Sequence, residues 1–221
     1  MHLHNQQLQL FFGGTFDPCH NGHLAIACAA RDLLACHVVF VPLGRPAHRI
    51  TPIASAHDRL HMLYQMTKAI DGLSVSDIEI QRAKYNAHPS YTFDTLSALR
   101  ERHGPSQPIG WLLGEDAWLG FRHWHRWNDI LGLAHLVIAK RRPITTLHPE
   151  SDEVFTTRWV SSPQQLIAKP AGQLFCLHQP LNSLAARQIR AQIASGASDW
   201  KHAMAAAVVR YIIENRLYFP S

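Results

Sequence analysis

A chain of 221 residues with 47% hydrophobic and 17% charged content has enough apolar material for one well-buried core and too little charge for a disordered chain. Its formal net charge of +5 suits polyanionic ligands, yet the basic residues are scattered rather than gathered into a stripe, which argues against nucleic acid. Four cysteines without a CxxC pair, an N-terminus without a charged leader and the lack of any apolar run of ~18 residues predict a reduced, cytoplasmic protein that does not enter a membrane.

The first predicted strand carries Leu8, Leu10, Phe11 and Phe12 and runs into Gly13 and Gly14, where the backbone can turn sharply and approach a ligand. A helix is expected from about Asn21, with Leu24, Ala27, Cys28 and Leu34 packed on a sheet. A second strand, 37–43, precedes a helix that Ser55 caps, with Leu60, Leu63, Tyr64 and Thr67 on one face. Residues 73–80 alternate as a strand should, and 92–104 is a helix closed by Gly104. Strands at 109–114, 135–140 and 173–178 follow, then helices at about 184–195, ended by Gly196, and about 200–217. Between them, 141–172 is rich in Pro, Ser, Thr and charge and reads as a surface excursion within one domain. Strands separated by helices predict an α/β fold, Rossmann-like and doubly wound with a parallel sheet. Ligands would then bind beyond the carboxyl ends of the strands.

The stretch FFGGTFDPCHNGH (11–23) places His20 and His23 at the start of the first helix, where free N–H groups and the positive dipole end favour an anion. Three readings of this pair stand: a phosphate contact, a surface or capping role, and the start of a zinc site. The zinc reading lacks a third ligand at suitable spacing. Cys19 lies within the motif with partial exposure expected, and no base can be placed beside it. WLLGEDAW (111–118) puts Glu115 and Asp116 at a strand end, where Asp116 either accepts from ribose hydroxyls or caps a helix. Trp111, Trp118, Phe121 and Trp127 read as core, whereas Trp124 sits in a segment poor in other apolar residues. Arg45, His48 and Arg49 leave the second strand in a basic loop, either solvated or facing phosphate; Arg141 and Arg142 are weaker candidates of the same kind.

GGTFDPCHNGH resembles the signature of the nucleotidyltransferase superfamily, with His-x-Gly-His as His20, Asn21, Gly22 and His23. Segments 41–49, 57–63, 89–100, 111–118, 123–131, 134–143 and 208–218 extend the resemblance over most of the chain, toward the bacterial nicotinate-nucleotide adenylyltransferases. The resemblance implies the nucleotidyltransferase fold with a short helical part at 180–221, and direct transfer of the adenylyl group of ATP to nicotinate mononucleotide in NAD biosynthesis, with Mg²⁺ accompanying ATP and no metal ligands on the protein. It assigns Gly13, Gly14, Thr15, Phe16, His20, His23, Gly114, Asp116, Arg187 and Arg190 to ATP, with His20, His23 and Arg190 catalytic. His48, Arg49, Tyr91, Thr92, Trp124 and Arg141 go to the nicotinate nucleotide, Trp124 stacking on its pyridine ring. Whether the chain forms a homo-oligomer is left open.

One departure stands out. The family's second signature, Ile-Ser-Ser-Thr-x-Ile-Arg, aligns with LAARQIR (184–190), which keeps Arg190 but replaces the hydroxyls with Ala185, Ala186 and Arg187. Asn182 and Ser183 are the nearest candidate caps, and Arg187 the candidate substitute for phosphate charge. The departure keeps a non-catalytic nucleotide sensor in view, and the first motif is shared by a second rival, another enzyme of the superfamily that adenylates phosphopantetheine or uses CTP but should lack the PSYT (89–92) and HWHRW (123–127) segments.

Overall fold

The structure, a computed structural model, describes residues 7–47, 51–85, 88–140, 153–178 and 184–220. Seven strands form one parallel sheet: β1 (Gln9–Gly14), β2 (His37–Pro42), β3 (Leu73–Val75), β4 (Ile109–Gly114), β5 (His135–Ala139), β6 (Trp159–Val160) and β7 (Leu174–Leu177), in the order β3-β2-β1-β4-β5-β7-β6. The order reverses between β1 and β4, which is the switch point where an open α/β sheet leaves a crevice beyond its carboxyl edge.

The helices are α1 (Asn21–Leu34), α2 (Ala56–Thr67), α3 (Ile78–Tyr85), α4 (Thr92–His103), α5 (Glu115–Leu119), α6 (Trp127–Leu133), α7 (Glu153–Thr156), α8 (Pro163–Ile167), α9 (Ala186–Ala194) and α10 (Ala206–Glu214). Alternation along β1 divides the core. Leu10 and Phe12 pack with Ala27, Phe40, Leu63 and the C-terminal helices, and Phe11 packs with Leu96, Trp111 and Phe121 on the other face.

Four expectations are corrected. The strand read at 73–80 ends at Val75, because the Ser76 hydroxyl accepts the N–H of Ile78 and turns the chain into α3. The face of α2 is rotated: Met62, Leu63, Met66 and Thr67 are buried together with Arg59, while Tyr64 is exposed. The excursion at 141–172 is more than surface, since its described part adds β6 to the sheet edge and buries Phe155 and Leu166. The helix expected at 200–217 is split into a 3-10 turn (Asp199–Ala203) and α10.

Candidate active site

The first element of the site is the connection from β1 to α1. Gly13 and Gly14 are still in the strand, and neither makes the turn that the sequence suggested. Their missing side chains serve packing: a Cβ on Gly13 would lie 2.0 Å from the Trp111 ring, and one on Gly14 would lie 2.8 Å from Phe16. The turn falls at Phe16, which takes a left-handed φ of 54° and is 2% exposed. Its ring stands edge-on to His23 at 5.0 Å between centroids, so Phe16 supports the histidine from within the core rather than lining a cavity. Cys19 is likewise buried, contrary to expectation, and burial pushes its thiol up to about 12.

His20 is both the N-cap of α1 and a site residue. Its Nδ1 accepts the N–H of Gly22 at 3.2 Å, and the Nδ1 of His23 accepts the N–H of His20 at 3.3 Å, a reciprocal capping box built from two imidazoles. The rings stack at 3.8 Å. With Nδ1 accepting in both, each neutral ring carries its proton on Nε2 and is a donor there, beside the positive end of α1. The capping reading is thus met, and the phosphate reading is compatible with it.

Asp17 organises the floor of this connection. Buried at 4% exposure, its carboxylate accepts from the backbone of Ile53 (2.8 Å) and Ala54 (3.0 Å) and from the Tyr218 hydroxyl (2.8 Å). Arg190, from α9, donates to the Asp17 carbonyl and lies 3.8 Å from its carboxylate. This brings Arg190 to the same loop as His20 and His23. Arg187 is on the exposed side of α9, without a side-chain partner among the described residues. The N-cap position of α9 is Ala185, which provides no side-chain cap; Asn182 and Ser183 lie outside the described residues.

Beyond the ends of β1, β2 and β4 lies a cavity of about 360 Å³, within the range of ~300–1,000 Å³ usual for small-molecule sites. Gly13, Gly14, Thr15 and Gly114 form one side of it, and Tyr91, Thr92, His123, Trp124 and His125 another. Tyr91, Thr92 and Trp124, three residues from two distant segments, are thus brought together. Trp124 is half-buried, its ring held edge-on by Phe121 at 5.5 Å, and Tyr91 lies against His125 at 4.4 Å. Trp118, Phe121 and Trp111 are core, as expected, although Trp111 also reaches the cavity. Asp116 is exposed in the first turn of α5, whose N-cap is Gly114, so Asp116 is not the cap. His48, Arg49, Arg141 and Arg142 lie outside the described residues.

Two charged residues of the site were not anticipated. Glu79 reaches the cavity while 4% exposed, accepting from the Thr95 hydroxyl at 2.8 Å and the Gly44 N–H at 3.2 Å. Burial raises its pKa against the opposing pull of those two hydrogen bonds and of Arg82 and Arg59. Arg59 is 1% exposed and donates to the carbonyls of Thr15 (2.9 Å), Leu43 (2.7 Å) and Ala54 (3.4 Å). Arg59 in a helix pattern and Glu79 at a polar position of the alternation over 73–80 both read as solvated, which is why neither was found.

Among the described residues, no group of three or more His, Cys, Asp or Glu could hold a metal ion, and no helix is long and apolar enough to cross a membrane.

Residues 11–174 match the family model described as cytidylyltransferase-like. A protein of Stenotrophomonas maltophilia (strain K279a) with the name "Probable nicotinate-nucleotide adenylyltransferase" is 42% identical over 96% of this chain and 96% of its own. Its namesake in Xylella fastidiosa (strain 9a5c) is 44% identical over the same shares. Among solved structures, Plasmodium falciparum nicotinic acid mononucleotide adenylyltransferase complexed with NaAD shares the fold at a TM-score of 0.70, with 16% identity over 96% of this chain and 97% of that one.

Proposed function

The chain belongs to the nicotinate-nucleotide adenylyltransferases of the cytidylyltransferase-like family, and from that premise we propose that its site transfers the adenylyl group of ATP to nicotinate mononucleotide, releasing pyrophosphate, as a step of NAD biosynthesis. The observation that carries this reading is the adjacency of two unlike halves: stacked imidazole donors at the start of α1, and an aromatic cavity lined by Tyr91 and Trp124 that opens on the same β1 edge.

The reaction needs little covalent help. The phosphate of the mononucleotide is already an anion and attacks the α-phosphorus in line, so no general base is required and catalysis rests on positioning and charge stabilisation. His23 donates from Nε2 to the α-phosphate and His20 to the outer phosphates, while the first N–H groups of α1 add their partial positive charge. Arg190 brings a guanidinium whose orientation is set by Asp17. Gly114 and Asp116 belong to the adenosine side and Arg187 to the triphosphate. Tyr91, Thr92 and Trp124 hold the nicotinate moiety, and backbone N–H groups beside the neutral platform of Trp124 favour the acid over the amide form. The family uses a divalent metal with ATP; we assign Mg²⁺, which when bound neutralises charge on the departing pyrophosphate. His48, Arg49 and Arg141 remain candidates for the mononucleotide phosphate.

Pyrophosphate release with ATP and Mg²⁺, measured in parallel with nicotinate and nicotinamide mononucleotide, tests the proposal. Strong release with the acid form is expected. Binding of ATP without release from either would leave a nucleotide sensor.

A further inference from the structure

Arg59 is the most fully buried charge in the described chain that faces the site without reaching it, and burying a guanidinium is costly unless its donors are matched. Its donors are matched by carbonyls from three separate segments: Thr15 after β1, Leu43 after β2 and Ala54 before α2. Thr15 and Leu43 themselves line the cavity. The first belongs to the connection that presents His20 and His23. The second begins the Leu43–Arg45 wall, which is tied to the Tyr91 side through Gly44 to Glu79 and through Arg45 to Ser90 at 3.0 and 2.8 Å. The planar fork of Arg59 therefore spans the seam between the ATP half and the mononucleotide half. The charges acting on it include one carboxylate from each half, Asp17 and Glu79, beside Tyr218 and Asp58.

We propose that Arg59 is a positioning residue that fixes the separation of the two substrate-bearing loops, and so governs turnover rather than the affinity for either substrate alone. This rests on the adenylyl-transfer reading of the site. In-line transfer demands that the attacking oxygen and the phosphorus meet within a narrow range of distance and angle. Each substrate, bound singly, touches only its own loop and is indifferent to the spacing.

Three proteins are compared: the wild type, Arg59→Lys and Arg59→Met. Lys keeps the charge and loses the fork, so it can satisfy one loop but not both at once. Binding of ATP alone and of nicotinate mononucleotide alone is measured by calorimetry, turnover by pyrophosphate release, and backbone hydrogen exchange at residues 13–16 and 43–45 without substrate. For Arg59→Lys the expected result is a fall in kcat of about a hundredfold, with each dissociation constant moving by less than ~3-fold. Exchange should quicken in both segments together. Unchanged kcat in a folded variant, or a loss of activity accounted for by weaker binding of one substrate, would overturn the proposal. Arg59→Met removes the shared cation and leaves Asp17 with Arg190 and Glu79 with Arg82; if it does not fold, Arg59→Lys alone decides. If the wild type itself releases no pyrophosphate with either mononucleotide, the functional reading fails, and exchange settles the spacing role separately: both loops loosened together supports it, one or neither refutes it.

Discussion

At the scale of single residues, the histidine pair shows how one side chain can carry two duties that substitution separates. Alanine at position 20 would remove both an N-cap, worth ~0.5–2 kcal/mol, and a phosphate donor, so it would not distinguish them. His20→Asn keeps a capping oxygen and removes the imidazole donor. The expected outcome is a melting temperature close to the wild type's and a turnover lowered by ~10²–10³, the usual cost of one lost transition-state donor. Equal losses of nucleotide affinity and turnover, read from steady-state kinetics against direct ATP binding, would contradict a transition-state role. On the other half of the site, Trp124→Ala should raise the KM for nicotinate mononucleotide by about tenfold or more, the scale of one stacked aromatic contact, while the KM for ATP changes little. Trp124→Phe should recover most of that loss, because the edge-on contact with Phe121 that orients the ring needs no indole N–H.

At the scale of elements, His135 opens β5 with no exposed surface, its Nδ1 accepting the N–H of Gln173 and its Nε2 donating to the carbonyl of Lys169. Both bonds suit the neutral ring, and burial holds its pKa down to about 4 from 6.5, assisted by the charges of Arg100 and Lys169. Between those two values the unfolded chain binds a proton that the folded chain refuses, so the stabilisation is fully present above pH 6.5 and is lost as pH falls toward 4. On the order of 3 kcal/mol is at stake, by the conversion of ~1.4 kcal/mol per pKa unit. Denaturant titrations of His135→Phe across this window should show a shallower acid slope than the wild type, and an identical slope would reject the assignment. The same scale explains what the sequence could and could not tell. Six strands and the helices of the first half are written in apolar runs and caps, because a parallel sheet covered on both faces demands them. β6, with two residues, is too short for any period, and α3 hides because Ile78 and Ile80 alternate with charged residues just as Leu73 and Val75 alternate with serines, the phase slipping by one residue at the Ser76 turn. The cavity residues Tyr91, Thr92 and Trp124 were legible from their motifs. Glu79 and Arg59 were not, since only the packed fold shows that their charges are satisfied inside.

At the scale of the whole molecule, the site is assembled from both ends of the chain. Asp17 receives the hydroxyl of Tyr218 across 201 residues of sequence and lies against Arg190 across 173. The Tyr218 hydroxyl, pushed upward by burial and by the Asp17 carboxylate, stays a donor throughout the working pH range. Tyr218→Phe leaves one lobe of a buried carboxylate unmatched and should destabilise the fold by ~1–3 kcal/mol, seen as a lower denaturation midpoint. Because Asp17 also orients Arg190, the KM for ATP should rise in the same variant. A change in midpoint with ATP kinetics intact would show the hydroxyl to be purely structural.

The Asp17 hub also bears on how this protein is born. The ribosome makes the phosphate loop early and adds Arg190 and Tyr218 long afterwards, so the Asp17 carboxylate stays hydrated until the C-terminal segment covers it. A polypeptide released before residue 218 would own every histidine of the signature and yet lack the hydroxyl that closes over Asp17. The full stability of the loop is in this way conditional on translation reaching that residue.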